Sequence, residues 1–362
     1  MTGPRRIAYV INSLEGGGAA SPLPDILRVL RETGAEVRLF VLTMRNGRAL
    51  PPVRAAGFEP LVRAGGEKDH LAAFRWLCRE LRSWGATHLW TSLSRATLLG
   101  QLAGTRLGIP VVSWQHNAFL KPWNERLLRW NRNRSAIWVA DSEEVARLTA
   151  DRLRIPADRL VTWPIFFADP QAPVAAPWQP GETLRLGSLG RLHPAKGYDL
   201  LIAALARLRD DGFEPPVPFR IAIAGEGNTR DALIRQAREA DIDCIDWTGF
   251  TDRPRDFLAG LHLYLQPSRR EGFCIALHEA IQAGLPVLAS ATGEMPFTVE
   301  DGVTGRIVRP RDVTDLASAL SALLSSPEKL AGMGRIGRER LLQRYSRERF
   351  AAIGASIVAR LS

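Results

Sequence analysis

The chain of 362 residues is poor in cysteine, in lysine and in long apolar runs. Its three cysteines, Cys78, Cys244 and Cys274, form no CxxC pair. That argues against a disulfide scaffold and a paired-cysteine zinc site, and fits a reducing compartment. The longest uncharged runs, 107–120 and 280–293, reach 14 residues each and contain Pro, Gly or His. A membrane-spanning helix needs about 20 predominantly apolar residues, so none is expected. The opening MTGPRR is basic, but the run 7–14 is too short and too polar for a secretory signal. A cytoplasmic protein is therefore expected.

Acidic residues are also in deficit, 38 against 48 basic ones, for a net charge of +10. The excess is uneven. Residues 1–180 carry 24 Lys and Arg against 15 Asp and Glu, and residues 181–362 carry 24 against 23. Nine of the ten tryptophans also precede residue 180, which suggests interfacial aromatics in that half. Such an asymmetry speaks of partners, not of fold. An apolar fraction of 46% is that of an ordinary globular protein. The length suggests two domains.

Short apolar runs alternate with helical patterns along both halves. Residues 7–11, 37–42, 88–91, 111–114 and 137–140 read as strands, with helices at 25–31 and 71–84. A stretch with four prolines, 168–181, reads as a hinge or linker. Strands then recur at 184–189, 219–224, 261–266 and 287–289, with helices at 200–209, 232–240 and 275–283 and a basic helical segment at 327–362. Strand, helix, strand in repetition gives parallel sheets with helices on both faces. The expected fold is α/β, two Rossmann-like domains facing across a cleft, with ligands at the carboxyl ends of the strands. The expected divisions are 1–168, a linker at 169–181, a donor-binding domain at 182–345, and a terminal helix at 346–362 that packs back on the first domain.

Two segments of the second half can carry chemistry. In LGSLGRLHPAKGYDLLIAAL, Arg191 and Lys196 lie between a strand and a helix. Two cations there can neutralise a diphosphate, or form a solvated loop. Lysine is retained at 196 although only four lysines occur against 44 arginines. In REGFCIALHEA, Glu271 precedes Gly272 and Phe273, and Glu279 follows eight positions later. A helix beginning near Gly272 presents unpaired amides suited to phosphate oxygens. Glu279, two turns in, is either a ribose acceptor or a solvated helix residue.

Together these segments resemble the GT-B glycosyltransferases of family 4, a retaining, nucleotide-sugar-dependent group. The matching pieces are GRLHPAKGYDLLIAAL, AGEGN with Gly225, the Gly-Phe at 249–250, the Glu271/Glu279 pair inside PSRREGFCIALHEAIQAGLPVLAS, and DGVTGRIV. The resemblance implies that Arg191 and Lys196 grip the donor diphosphate. Glu271 would contact the donor sugar and Glu279 the ribose, and the amides around Gly272, Phe273 and Cys274 would lie near sugar and phosphate. Gly225 and Phe250 belong to the same donor side. In the first half, Gly17-Gly18-Ala19-Ala20 resembles the family's glycine turn, although its acidic residue is absent here. His116, in SWQHN, stands where the family has an active-site histidine, although a lone histidine is as readily structural. In VADSEE at 139–144, the Asp and Ser read as a helix cap, and Asp141 and Glu143 as no acid pair.

Asp241-Ile242-Asp243 is a literal DxD, a metal motif of the other large glycosyltransferase fold, but it follows a helix and reads as structural. A metal-independent enzyme acting on a UDP- or GDP-sugar is expected. The segment 121–134 carries Lys121, Trp123, Arg126 and Trp130. It reads as an anionic-membrane contact, or as a solvated basic helix with two core tryptophans. The first reading suits a saccharide or glycolipid acceptor and a peripheral place on the inner membrane face, in polysaccharide or glycolipid synthesis. Two alternatives stand beside this one. A GT-B epimerase would release free nucleotide sugar without an acceptor. A nucleic-acid-binding protein is suggested by the charge alone, with no recognisable module.

Overall fold

The computed structural model describes residues 4–18, 20–116 and 120–361. Ala19 of the glycine turn and Asn117 of SWQHN lie outside them. The chain divides into two compact units, one of residues 1–166 with 348–362 and one of residues 167–347.

The first unit holds a seven-stranded, wholly parallel sheet in the order β3-β2-β1-β4-β5-β6-β7. Its strands are β1 (Arg6–Ser13), β2 (Glu36–Thr43), β3 (Leu61–Val62), β4 (His88–Ser92), β5 (Val111–Gln115), β6 (Ile137–Ala140) and β7 (Leu160–Thr162). Every residue of β4, β5 and β6 is buried, as expected of strands covered on both faces. The helices are α1 (Leu23–Glu32), α2 (Leu50–Ala55), α3 (His70–Trp84), α4 (Ser94–Leu107), α5 (Pro122–Asn131) and α6 (Glu143–Leu153). α3 packs on α4, α4 on α5 and α5 on α6, so these four form one layer. Right-handed crossovers put them together, because β3 to β7 are visited in one direction across the sheet after β1 and β2 are visited in the other.

The tryptophan excess proves to be mainly core. Trp90, Trp114, Trp138 and Trp163 are fully buried. The Trp114 and Trp163 rings stack at 4.7 Å, a packing worth about 1 kcal/mol beyond area burial. Trp76, Trp84 and Trp178 are half-buried, whereas Trp123 and Trp130 are 67% and 82% exposed. The alternative of two core tryptophans on α5 is therefore wrong.

The second unit holds a six-stranded parallel sheet in the order β10-β9-β8-β11-β12-β13. Its strands are β8 (Leu184–Leu189), β9 (Phe219–Ala224), β10 (Ile245–Gly249), β11 (Leu263–Gln266), β12 (Val287–Ser290) and β13 (Gly305–Val308). Between them run α7 (Tyr198–Asp210), α8 (Arg230–Glu239), α9 (Pro254–Ala259), α10 (Ile275–Gln282) and α11 (Met295–Thr298), followed by α12 (Val313–Leu324) and α13 (Pro327–Arg344). The main core joins α7 and α12 to the inner faces of β8, β9 and β11.

The proline-rich stretch expected as a linker belongs to this unit. The Asp169 amide donates to Gln282 Oε1 at 2.7 Å, and the Ala175 amide to the Ala283 carbonyl at 2.8 Å. Extended backbone rich in proline is bound here by its remaining donors. The helical segment at 327–362 is two helices, α13 and α14 (Arg347–Ala359). From Glu348 onward α14 belongs to the first unit, where the Phe350 ring meets Trp163 at 5.1 Å and the Leu361 carbonyl lies 3.4 Å from His88 Nε2.

Candidate active site

The sheet of the second unit changes direction between β8 and β11. The chain builds outward from β8 to β9 and β10, then crosses back to lay β11 on the other side of β8. At such a switch the loops after the two neighbouring strands part and leave a crevice at their carboxyl ends. Here those loops are 190–197 and 267–274. They carry Arg191, Lys196, Glu271, Gly272, Phe273 and Cys274.

Their local form follows from glycine at two points. Gly225, after β9, has φ +154°, and a Cβ there would run into the Gly190 carbonyl. Its amide donates to Gly249 at 2.7 Å, so the ends of β8, β9 and β10 close together. Gly197 has φ +70° and faces the Pro267 carbonyl so tightly that no side chain fits. It draws the loop after β8 onto the loop after β11. Arg269 fixes the same junction, with a two-pronged pair to Asp199 at 2.6 and 2.5 Å and a bond to the Pro194 carbonyl at 2.9 Å. Burial works against the Asp199 charge, but Arg269 outweighs it and holds the carboxyl below its ordinary range.

That closure brings Lys196 and Glu271 together. Lys196 Nζ donates to Glu271 Oε1 at 2.7 Å. The same oxygen accepts from Ser268 Oγ at 2.7 Å and Gln266 Nε2 at 3.2 Å, both side chains being buried. Burial opposes the Lys196 charge, but the Glu271 carboxylate more than offsets it, and the ammonium stays protonated above its ordinary range. All three of these bonds fall on Oε1, which leaves Oε2 the less engaged oxygen of the carboxylate. Arg191 is exposed and has no hydrogen-bond or ion-pair partner among the described residues.

The turn 272–274 is set by packing beneath it. Cys274 takes the left-handed conformation, φ 65°, at the start of α10. The Phe273 ring is buried, stacked on His278 at 3.9 Å, so only its backbone can face a ligand. His278 bonds the Cys274 carbonyl at 3.0 Å and Thr298 Oγ1 at 3.1 Å, and burial pushes its pKa down to about 3. It is a neutral strut under the turn. The Glu294 amide ties to the Gly272 carbonyl at 2.9 Å, and the Cys274 thiol is buried and its pKa pushed up by that burial.

Glu279 lies on α10. Its carboxyl makes no hydrogen bond among the described residues, and burial raises its pKa to about 7, with Arg255 pulling weakly the other way. A half-buried carboxyl without a donor is an acceptor in waiting. It is therefore not the solvated helix residue of the plainer reading. Phe250 follows the end of β10 and is 52% exposed.

In the first unit, Gly17 and Gly18 form an exposed turn after β1, where a Cβ would meet open space. His116 follows β5. Its Nδ1 lies 3.0 Å from Asp141 Oδ1, its Nε2 contacts Ser92 Oγ, and its ring stacks on Trp114 at 5.6 Å. Asp141 also accepts from Trp114 Nε1 at 2.6 Å. Read from sequence as a cap, Asp141 instead orients His116, and Ser142 alone caps α6, by accepting from the Val145 amide at 3.2 Å. With both ring nitrogens engaged, the imidazole is a fixed element of the strand edge.

Lys121, just before α5, and Trp123, Arg126 and Trp130 on it are all exposed. Trp123, Arg126 and Trp130 share one helix face by their spacing of three and seven. Asp241 sits in a left-handed turn, φ 48°, after α8, and the Asp243 carbonyl accepts from Arg220 at 2.9 Å. Among the described residues no helix is long and apolar enough to cross a membrane.

Comparison with known proteins agrees with this architecture. The model of Glycosyltransferase Family 4 matches residues 16–166, and that of Glycosyl transferases group 1 matches residues 177–340. A D-inositol 3-phosphate glycosyltransferase of Thermobispora bispora is 26% identical over 370 residues, spanning 88% of this chain and 84% of that protein. A GDP-mannose-dependent alpha-(1-6)-phosphatidylinositol monomannoside mannosyltransferase of Mycolicibacterium smegmatis is 35% identical over 170 residues, 43% of each chain. Anabaena HepE, solved with UDP and glucose, superposes with a TM-score of 0.85 at 19% identity, covering 98% of this chain and 99% of that one, a likeness of fold. With two family models laid end to end over two parallel-sheet units, the chain belongs to the family 4 glycosyltransferases of GT-B fold and is a glycosyl-transferring enzyme.

Proposed function

We propose that the protein is a retaining hexosyltransferase that takes its sugar from a UDP- or GDP-sugar. The observation that carries this reading is the Lys196–Glu271 pair at the β8/β11 switch, with the unpartnered Glu279 carboxyl on α10. Arg191 and Lys196 bind the diphosphate, and the amides of residues 272–274 add neutral donors, so the charge is met without a metal. Glu271 holds a sugar hydroxyl through Oε2, and Glu279 accepts from the ribose. Gly225 and Phe250 border the nucleoside.

In the transfer, the bond from the anomeric carbon to the β-phosphate oxygen breaks and a bond to the acceptor oxygen forms on the same face. The acceptor's proton passes to the departing phosphate oxygen. Fixed positive charge at that oxygen is the largest contribution such a site can make. Within the first unit, the resemblance to the family singles out Gly17, Gly18 and His116, the last held by Asp141 and Ser92.

The exposed Trp123, Arg126 and Trp130 with Lys121 support peripheral binding to the inner face of an anionic membrane. The acceptor is then a saccharide or lipid-linked saccharide, and the product a surface polysaccharide or glycolipid. The relatives support this class, one being named for a phosphatidylinositol mannoside acceptor. Melting the protein with UDP, GDP, ADP and their sugars tests the donor assignment. The matching nucleotide, at 100 times its dissociation constant, should stabilise by about 2.7 kcal/mol. No shift with any of them would refute it.

A further inference from the structure

We infer that the outer face of α3 and α4 is a docking surface for an anionic lipid surface. The proposal rests on the peripheral-membrane reading above and extends it to a part of the chain that reading does not use. A shallow groove of about 690 Å³ along these helices is lined by Leu71, Phe74 and Cys78 together with Arg75, Arg82 and Arg106. The three arginines are exposed and make no hydrogen bond or ion pair among the described residues. Arg79, also in the lining, is paired with its neighbour Glu80.

Unpaired guanidinium groups beside apolar side chains need a partner with both characters. The guanidinium fork matches phosphate oxygens in two-pronged fashion. The apolar part is uncovered as well, with Leu71 61% exposed and Leu102, on α4, 41% exposed. Of the seven large apolar side chains exposed among the described residues, four lie on α3, α4 and α5, namely Leu71, Leu102, Trp123 and Trp130. These helices are successive neighbours in one layer. A soluble polyanion would satisfy the arginines and leave these side chains in water. A bilayer interface with acidic headgroups satisfies both.

The test is sedimentation of the full chain with phosphatidylcholine vesicles, with and without phosphatidylglycerol. Three Arg-to-Ser changes (R75S, R82S and R106S together) should weaken binding to the acidic vesicles about a hundredfold, at roughly 1 kcal/mol per arginine. The nucleotide-induced melting shift should be unchanged, which shows that the variant is folded. L71S with L102S should weaken binding to the same vesicles at raised salt. If the triple variant binds like wild type while W123S/R126S/W130S does not, this inference fails and the α5 contact stands. If wild type ignores acidic vesicles, both fail. Binding to soluble polyphosphate as tight as to the vesicles would assign the groove to a soluble anion and overturn the inference.

Discussion

Glu279 shows how a single side chain can be costly in the empty protein and useful in the occupied one. Burial raises its pKa from 4.5 to about 7. Below pH 4.5 the carboxyl is protonated whether the chain is folded or not, and nothing is lost. Between 4.5 and 7 the folded protein holds the proton more tightly than the unfolded chain, so stability falls as pH rises and levels off above about 7. The loss is up to roughly 3 kcal/mol. E279Q should flatten this slope in melts between pH 4.5 and 8, and be more stable than wild type at pH 8, while binding nucleotide less tightly there. Parallel pH curves for the two proteins would contradict it. The sequence announced this residue through its eight-residue spacing from Glu271. It did not announce Asp141, because the partner His116 lies 25 positions away. The signal was there only in the sheet register: Gln115 pairs with Ala140, which sets the next residues of both strands side by side.

At the scale of elements, most strands were legible because both faces are buried and the apolar runs are unbroken. The short strand β3, with two residues, and helices α2, α9 and α11, with four to six, carry too little pattern to be read. The loops carried more information than the elements. The motifs around Gly197 and Gly225 stand where backbone from two strands must nearly touch, and only glycine permits it. G197A would place a side chain at φ +70° against the Pro267 carbonyl. The left-handed conformation alone costs about 1–3 kcal/mol. The variant should melt below wild type and lose most of its nucleotide-induced shift, since the loop that sets Lys196 against Glu271 is displaced. A normal shift would mean that this junction does not build the donor site. On α5, by contrast, sequence left core and surface equally open. A tryptophan has the same composition in either place, and only the burial of Leu128 on the opposite side decides which face turns outward.

At the scale of the molecule, the two-domain α/β reading came from repetition of strand and helix, and it survives. The borders moved. The proline-rich stretch is held by the second unit, and the last helix returns to the first. The place of the proline-rich stretch is not visible in local composition, because it depends on long-range hydrogen bonds. The charge asymmetry, unexplained by either sheet, belongs to exposed arginines of the first unit.

The proposed transfer depends on fixed positive charge at the β8/β11 switch. It is tested most directly by the turnover number of R191A and of K196A, measured as nucleoside diphosphate released from whichever nucleotide sugar stabilises the wild type. Each should fall about 10²–10³-fold with the circular dichroism unchanged. Turnover near that of wild type in both folded variants would contradict it.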